Sequence, residues 1–496
     1  MGRLLSNHAR RQILDRIAPT DEEVRRQEWT INLLKEHLTD IAREKGLSFS
    51  SIAAQGSTGL KQTQIRGASD IDLFVALHPE DYEDLISLPR TLRDRRISRK
   101  FAALIDEWFI PAAERAGATR LVKAYSQHPY LSLQLHGLDV DVIACFDLSS
   151  EDLMERGPIT AVDRTIHHTR YILNNVTPEI RNDIRILKSF VRASHAYGDS
   201  CAVGQIGLTG YALEVLTIIG NGFEGAAKLL QELGNTPVDP FGRDPEELLT
   251  RPAFENDFAI VIDPVDPERN LAASFSKRAV RWVQLRLSRL SELSSLGREP
   301  EVIDMILEKP IPTEPLPSWL VSHCRSITFV GDPSRHYTLY RDKIYRLIRA
   351  LARTISQEGT GEPRFGQVLW EVYFEGHVFA AVLLVERTKI EPIYHRRGPP
   401  VELEDAARSF RKHHRNVYEK DGYLWTEVHR RWTDVDDLIR DYLKKHPITG
   451  LQPATDHTPV TARAKNVLYR YVMRIERWFP LANRQEYKEA EPTLDW

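Results

Sequence analysis

The residue types able to do chemistry are concentrated in one early stretch. Gly56-Ser57-Thr58-Gly59-Leu60-Lys61-Gln62-Thr63 is followed by Asp70-Ile71-Asp72-Leu73-Phe74-Val75. In a strand, residues two apart project from the same face, so Asp70 and Asp72 point together. Two carboxylates held side by side repel unless cations stand between them, which suits a pair of divalent ions. One ion would activate an attacking hydroxyl, and the other would hold a triphosphate and neutralise its departing pyrophosphate. The Gly56-Ser57 turn lets backbone N–H groups approach phosphate oxygens closely, with the Ser57 hydroxyl as a further donor. Lys61 and Arg66 add positive charge nearby. A lone Asp-x-Asp is more often two solvated acids; a Gly-Ser turn ahead of strand-borne acids is far more specific.

Such chemistry asks for a third carboxylate from a neighbouring strand. Gly137-Leu138-Asp139-Val140-Asp141-Val142-Ile143 offers two acids on one face, and the period of two does not choose between Asp139 and Asp141.

The elements that position these residues can be read around them. Thr20 and Glu23 have capping-box spacing, and Ile31, Leu34, Leu38 and Ile41 recur at helical intervals, so a helix precedes the first strand. Residues 48–78 read as strand, glycine-bearing loop and second strand. Residues 91–117 read as mostly helical, and strands follow around Thr119–Tyr125 and Tyr130–Cys145, broken at Gly137. Helical periodicity dominates from Glu151 to Gly234, notably Asn182–His195 and Gly210–Gly220. Residues 234–254 read as a loop, and the proline-rich Asp304–Ser318 as a linker. Beyond it come a helix over Tyr340–Gln357, strands near Gln367–Tyr373 and His377–Val385, and a last helix over Val460–Trp478. The class is therefore α+β.

Composition narrows the setting. A chain of 496 residues, 42% hydrophobic and 28% charged, is expected to form more than one domain. No apolar run is long enough for a membrane span, and the first residues lack the apolar core of a secretory signal. Three widely spaced cysteines argue against a disulfide framework or zinc site, so a reducing cytoplasm is expected. A net charge of −3 neither supports nor excludes RNA.

Several further strings resemble the class I, archaeal-type CCA-adding enzymes in order and spacing. They include Ile17-Ala18-Pro19-Thr20-Asp21-Glu22-Glu23, His128-Pro129-Tyr130, and Ala161-Val162-Asp163-Arg164-Thr165 with His167-His168. Ile186-Leu187-Lys188, Thr209-Gly210-Tyr211 with Glu214, Asp263-Pro264-Val265-Asp266 with Arg269-Asn270, and Arg396-Arg397-Gly398-Pro399 follow. Leu60 stands as an extra residue before Lys61, and Cys145 where a proline is usual. The resemblance runs from about residue 17 to the last helix.

It implies a polymerase-β-like nucleotidyltransferase palm with a helical neck and body, then a C-terminal α/β RNA-binding body and tail. The divisions expected are residues 1–155 (N-terminal helix and palm), 156–318 (helical neck) and 319–496 (tRNA-binding body and tail). It implies transfer of CMP and AMP from CTP and ATP to the 3′ end of tRNA. Asp70, Asp72 and Asp141 would be the catalytic metal ligands, holding Mg²⁺ or Mn²⁺. Gly56, Ser57, Lys61, His167, Lys188, Tyr197 and Arg269 would bind nucleotide, with His168 the open alternative to His167. Arg396, Arg397, Arg411, Lys412, Arg470 and Arg474 are the candidate RNA contacts, the last two on one face of the final helix with Arg463 and Arg477. The partners expected are the tRNA acceptor end, CTP and ATP, with no membrane; a homodimer stays open. The rival reading is another nucleotidyltransferase with the same palm, making oligoadenylate or cyclic-nucleotide signals or modifying a different RNA end.

Overall fold

The computed structural model describes residues 3–68, 70–125, 128–333, 335–454 and 459–477. Ser69 and Trp478 lie outside them. The chain forms two compact units: residues up to Gly198 with Leu208–Lys309, and Asp199–Gly207 with the chain from Pro310.

The first unit holds a five-stranded mixed sheet of β1 (Ser51–Ala54), β2 (Asp70–Leu77), β3 (Thr119–Tyr125), β4 (Pro129–Leu135) and β5 (Leu138–Phe146), ordered β1-β2-β5-β4-β3. Only β2 and β5 pair in parallel. Strand alternation sorts their side chains. Ile71, Leu73, Val75 and Leu77 enter the core under the sheet with Leu34, Leu38 and Ile41 of helix Asp21–Lys45. On the opposite face, Phe74, Ala76, Ile143 and Cys145 form a small apolar cluster covered by Val162 and Ile166. Asp70, Asp72 and Asp141 therefore sit where that second apolar face ends. Cys145 is wholly buried there, a packing role for the residue that replaces a proline.

The start of helix Asp21–Lys45 anchors the approach to β2. Thr20 Oγ1 accepts from the Glu23 amide and Glu23 Oε2 from the Thr20 amide at 3.2 and 2.7 Å, completing the capping box. The other oxygen of Glu23 accepts from Gly67 N at 2.9 Å, and Gln27 Nε2 donates to Ala68 O at 3.0 Å. Two contacts thus fix the chain just before Asp70.

A second core of the same unit is helical, combining Pro178–Ala193, Gly210–Ile219, Phe223–Glu232, Lys277–Ser295 and Glu299–Ile306. Helix Asn7–Ile17 buries Ala9, Ile13 and Ile17 in this core rather than under the sheet, so the first helix packs with the neck and not with the palm. The 234–254 stretch is mostly irregular but holds a short helix, Pro245–Thr250. A small ribbon, β6 (Ile262–Asp263) and β7 (Asp266–Asn270), follows it.

In the second unit an antiparallel sheet combines β8 (Cys324–Gly331), β9 (Val368–Glu375), β10 (Val378–Val385) and β14 (Leu451–Ala454), ordered β14-β8-β10-β9. Helices Tyr337–Ser356 and Val435–Lys445 share its core. A three-stranded sheet, β11 (Ile393–Pro400), β13 (Tyr423–His429) and β12 (Tyr418–Lys420), packs on helix Glu404–His413 through Ala407, Phe410 and Leu424. The final helix is interrupted by a wide turn over Leu468–Val472.

Candidate active site

The register of β2 against β5 sets Asp70 opposite Asp139 and Asp72 opposite Asp141. Asp139 is exposed and accepts from Gln134 Nε2 at 2.9 Å. Asp141 sits deeper and accepts a hydrogen bond from Ser132. Burial, then the charges of Asp141 and Asp70, push the Asp72 carboxyl up to about 6 against the pull of Lys61. Burial raises Asp141 as well, with Asp70 and Asp139 adding to it. Acids held against their own repulsion, offering oxygen donors only, fit hard divalent cations.

The Gly-Ser loop closes directly over this pair. Gln55 N donates to Asp72 O at 3.0 Å, and a Cβ built on Gly56 would lie 2.3 Å from Asp72 Oδ2. At Gly59 a Cβ would meet Ala54 O at 2.1 Å. Neither position admits a side chain, which is the physical reason for glycine at both. Thr63 N donates to Ser57 O at 3.0 Å and closes the turn. Leu60, the extra residue, is pushed out to 54% exposure while Lys61 turns inward.

Lys61 and Lys188 meet on one buried carboxylate. Lys61 Nζ lies 2.9 Å from Glu214 Oε2 and Lys188 Nζ 2.7 Å from Oε1, which also accepts from Thr63 Oγ1 at 2.5 Å. Lys188 also donates to Thr63 O at 3.2 Å. Burial alone would raise the Glu214 pKa, but Lys188, Lys61 and the hydrogen bonds overcome it and hold the group at about 2. Tyr197 stands at the same place: a Cβ on Gly210 would lie 2.5 Å from its hydroxyl, and burial pushes its pKa up to about 12.

The two histidines part ways. His167 is buried with Nε2 donating to Leu148 O at 3.0 Å, so it faces the end of the sheet rather than the pocket; the expectation for His167 is corrected in that respect. His168 stacks on Tyr211 with ring centroids 3.9 Å apart, and its Nε2 donates to Asp263 Oδ2 at 2.9 Å. Arg269 Nη1 donates to the same oxygen at 2.9 Å and stays 39% exposed. His168, Tyr211 and Arg269 line a cavity of ≈ 720 Å³.

Among the C-terminal candidates, Arg470 pairs with Glu314 and Arg463 with Glu375 at 2.5 Å, so this helix directs two of its cations into ion pairs of its own unit. Arg474 is half-buried. Arg411 pairs with Glu419, whereas Lys412 is exposed. Arg397 lies over the Tyr423 ring at 3.8 Å and Arg396 over Phe410 at 5.8 Å.

Residues 182–295 match the family described as tRNA nucleotidyltransferase, second domain, and residues 368–452 the CCA-adding enzyme, C-terminal domain. A CCA-adding enzyme of Methanothermobacter thermautotrophicus is 27% identical over 441 residues, covering 87% of each chain. One from Thermococcus gammatolerans is 28% identical over 490 residues, covering 93% of this chain and 94% of its own. The chain is similar to CCA-adding enzymes over most of its length. Both matched families describe nucleotide-adding enzymes that act on tRNA ends. A solved RNA terminal U-transferase overlaps 62% of this chain and all of its own, at 12% identity and TM-score 0.42. Among the described residues, no helix is long and apolar enough to cross a membrane.

Sequence reasoning gave no role to Glu214, Thr63, Asp263 or Tyr211. Glu214 left a signal: it is the one charge within the apolar helix Gly210–Ile219, and a buried charge must find partners. The carboxylate of Asp263, 95 residues from His168, left none that spacing could reveal.

Proposed function

We propose that this chain transfers CMP and AMP from CTP and ATP to the 3′ end of tRNA, without a nucleic-acid template. The observation that carries the reading is Asp72 set opposite Asp141 beneath Gly56, with Asp70 on the same face. Asp70, Asp72 and Asp141 would hold two Mg²⁺ ions, which when bound lower the pKa of the RNA 3′-hydroxyl and neutralise the departing pyrophosphate. The Gly56-Ser57 turn presents its N–H groups and the Ser57 hydroxyl to the phosphates. Lys61 and Lys188 supply fixed positive charge, oriented by Glu214. Arg269, oriented by Asp263, offers paired N–H donors to the acceptor edge of C or A, and the stacked His168 and Tyr211 floor the pocket. No protein nucleophile is required; positioning and charge carry the rate.

Arg396, Arg397 and Lys412 are the C-terminal side chains we assign to RNA phosphates. The buried thiols of Cys145 and Cys201 suit a reducing cytoplasm. The test incubates the protein with Mg²⁺ and a tRNA transcript lacking its CCA end, with CTP and ATP separately and together. Stepwise addition of C, C and A, absent from Asp70→Ala/Asp72→Ala, is the expected outcome. Nucleotide-only products formed without RNA would overturn it.

A further inference from the structure

A second cavity, of ≈ 650 Å³, adjoins the one that holds His168 and shares Ala161 and Arg164 with it. Among the described residues four arginines line it, Arg90, Arg93, Arg156 and Arg164, against the one acid Asp94. Asp94 lies 3.3 Å from Arg93 and 4.0 Å from Arg90; Arg156 is 4.0 Å from Asp152, and Arg164 is 2.7 Å from Asp266. Helix Arg90–Leu104, which supplies the rim, carries Arg95, Arg96, Arg99 and Lys100 as well, with Asp94 its sole acid. It buries Ile97, Phe101 and Leu104 and turns a cationic face outward. Such a concentration of one sign is repulsive by itself and raises the local concentration of anions.

The wall makes a different demand. His128 is 7% exposed, and its Nδ1 lies 3.2 Å from Pro129 O. A carbonyl can only accept, so Nδ1 carries the proton and Nε2 presents a lone pair. That Nε2 is buried and meets no hydrogen-bond partner among the described residues. The Phe101 ring packs edge-on against the imidazole, with centroids 5.7 Å apart, and burial lowers its pKa, favouring the neutral form. The rim therefore asks for an anion and the wall for a hydroxyl donor. A ribose-phosphate unit has both, its 2′-hydroxyl beside a phosphodiester, and deoxyribose lacks the first.

We propose that this cavity binds a ribose-phosphate unit of an RNA strand, its phosphodiester among the arginines and its 2′-hydroxyl donating to His128 Nε2. The proposal rests on the reading that the chain extends RNA. A strand rather than a free nucleotide is chosen because the basic face continues past the cavity through the exposed Arg95, Arg96 and Arg99.

The test measures fluorescence anisotropy of a labelled single-stranded RNA, and of DNA of the same sequence, on the full chain without nucleotide. Arg90→Glu/Arg93→Glu is expected to bind RNA about tenfold more weakly, with a shallower salt dependence, while its KM for CTP stays unchanged. His128→Phe, which keeps a ring against Phe101, is expected to bind RNA no better than DNA. The exposed Arg90→Glu alone, with an unchanged Tm, guards against misfolding. Wild-type RNA affinity in the arginine variant, or an intact RNA preference in His128→Phe, would overturn the site. A loss confined to KM for CTP would overturn the strand in favour of a second nucleotide site. Wild-type extension of tRNA is measured in parallel: its failure sinks the proposed function, while the binding comparison still decides this cavity.

Discussion

Asp72 and Asp141 are register partners on adjacent parallel strands, although 69 residues of sequence separate them. The same register puts Asp139 beside Asp70, but toward solvent and onto Gln134. Replacing Asp141 by Asn should remove one metal ligand and lower kcat on the order of 10²–10³-fold or more. Asp139→Asn should stay within about threefold, since it removes only an exposed charge. Single-turnover extension of tRNA by the two variants checks this. Equal losses would mean that both acids ligate.

Glu214 is the shared carboxylate partner of two buried ammonium groups, so its removal should be felt in stability before catalysis is considered. Glu214→Gln keeps the shape and strands the charges of Lys61 and Lys188. Breaking a buried ion pair from one side costs about 3–5 kcal/mol, most of it the penalty of uncompensated charge. Urea denaturation should show that loss, and Glu214→Gln combined with Lys188→Met should recover part of it. A midpoint unmoved by Glu214→Gln would mean that water already solvates the lysines.

The α+β class and most elements were legible because periodicity reports burial, and burial follows strand and helix geometry. The capping box at Thr20 and Glu23, the strand at Ile71–Leu77 and the break at Gly137 all appear where local chemistry places them. Long-range pairing was not legible. Period two sets Asp139 and Asp141 on the same face equally, and the register gives each an Asp partner on β2; burial distinguishes them, Asp139 lying exposed on Gln134. The last helix reads from spacing as an arginine stripe, but a wide turn over Leu468–Val472 interrupts it, and Glu314 and Glu375 meet Arg470 and Arg463 from segments 156 and 88 residues away. Helix Asn7–Ile17 went to the neck because its apolar stripe fits the helical core, a choice between two partners that its own sequence does not make.

The separation of His167 from His168 gives a paired test. His168→Ala removes the ring stacked on Tyr211 and the donor to Asp263, leaving Arg269 less constrained. It should raise KM for CTP and ATP by about tenfold, a loss of roughly 1.4 kcal/mol of binding. His167→Ala should leave KM near wild type and lower Tm instead, since it empties a buried site against Leu148. Steady-state kinetics and a thermal melt on both variants separate the roles; a KM effect at His167 would reverse the assignment.

The last prediction concerns pH. His195 follows helix Pro178–Ala193 with a positive φ of 50°, and burial beside Arg286 lowers its pKa to about 4 from the model-peptide value near 6.5. A histidine with a depressed folded pKa binds fewer protons folded than unfolded between those two values. Stability therefore rises with pH across that window. Its contribution is complete above about 6.5 and is lost progressively as pH falls toward 4, by roughly 2–3 kcal/mol. His195→Asn tolerates the left-handed backbone and cannot take up a proton. Urea midpoints measured at several pH values from 7 to 4 should fall less steeply for His195→Asn than for wild type. Parallel curves would show that His195 is protonated in the folded chain and that other groups set its acid sensitivity.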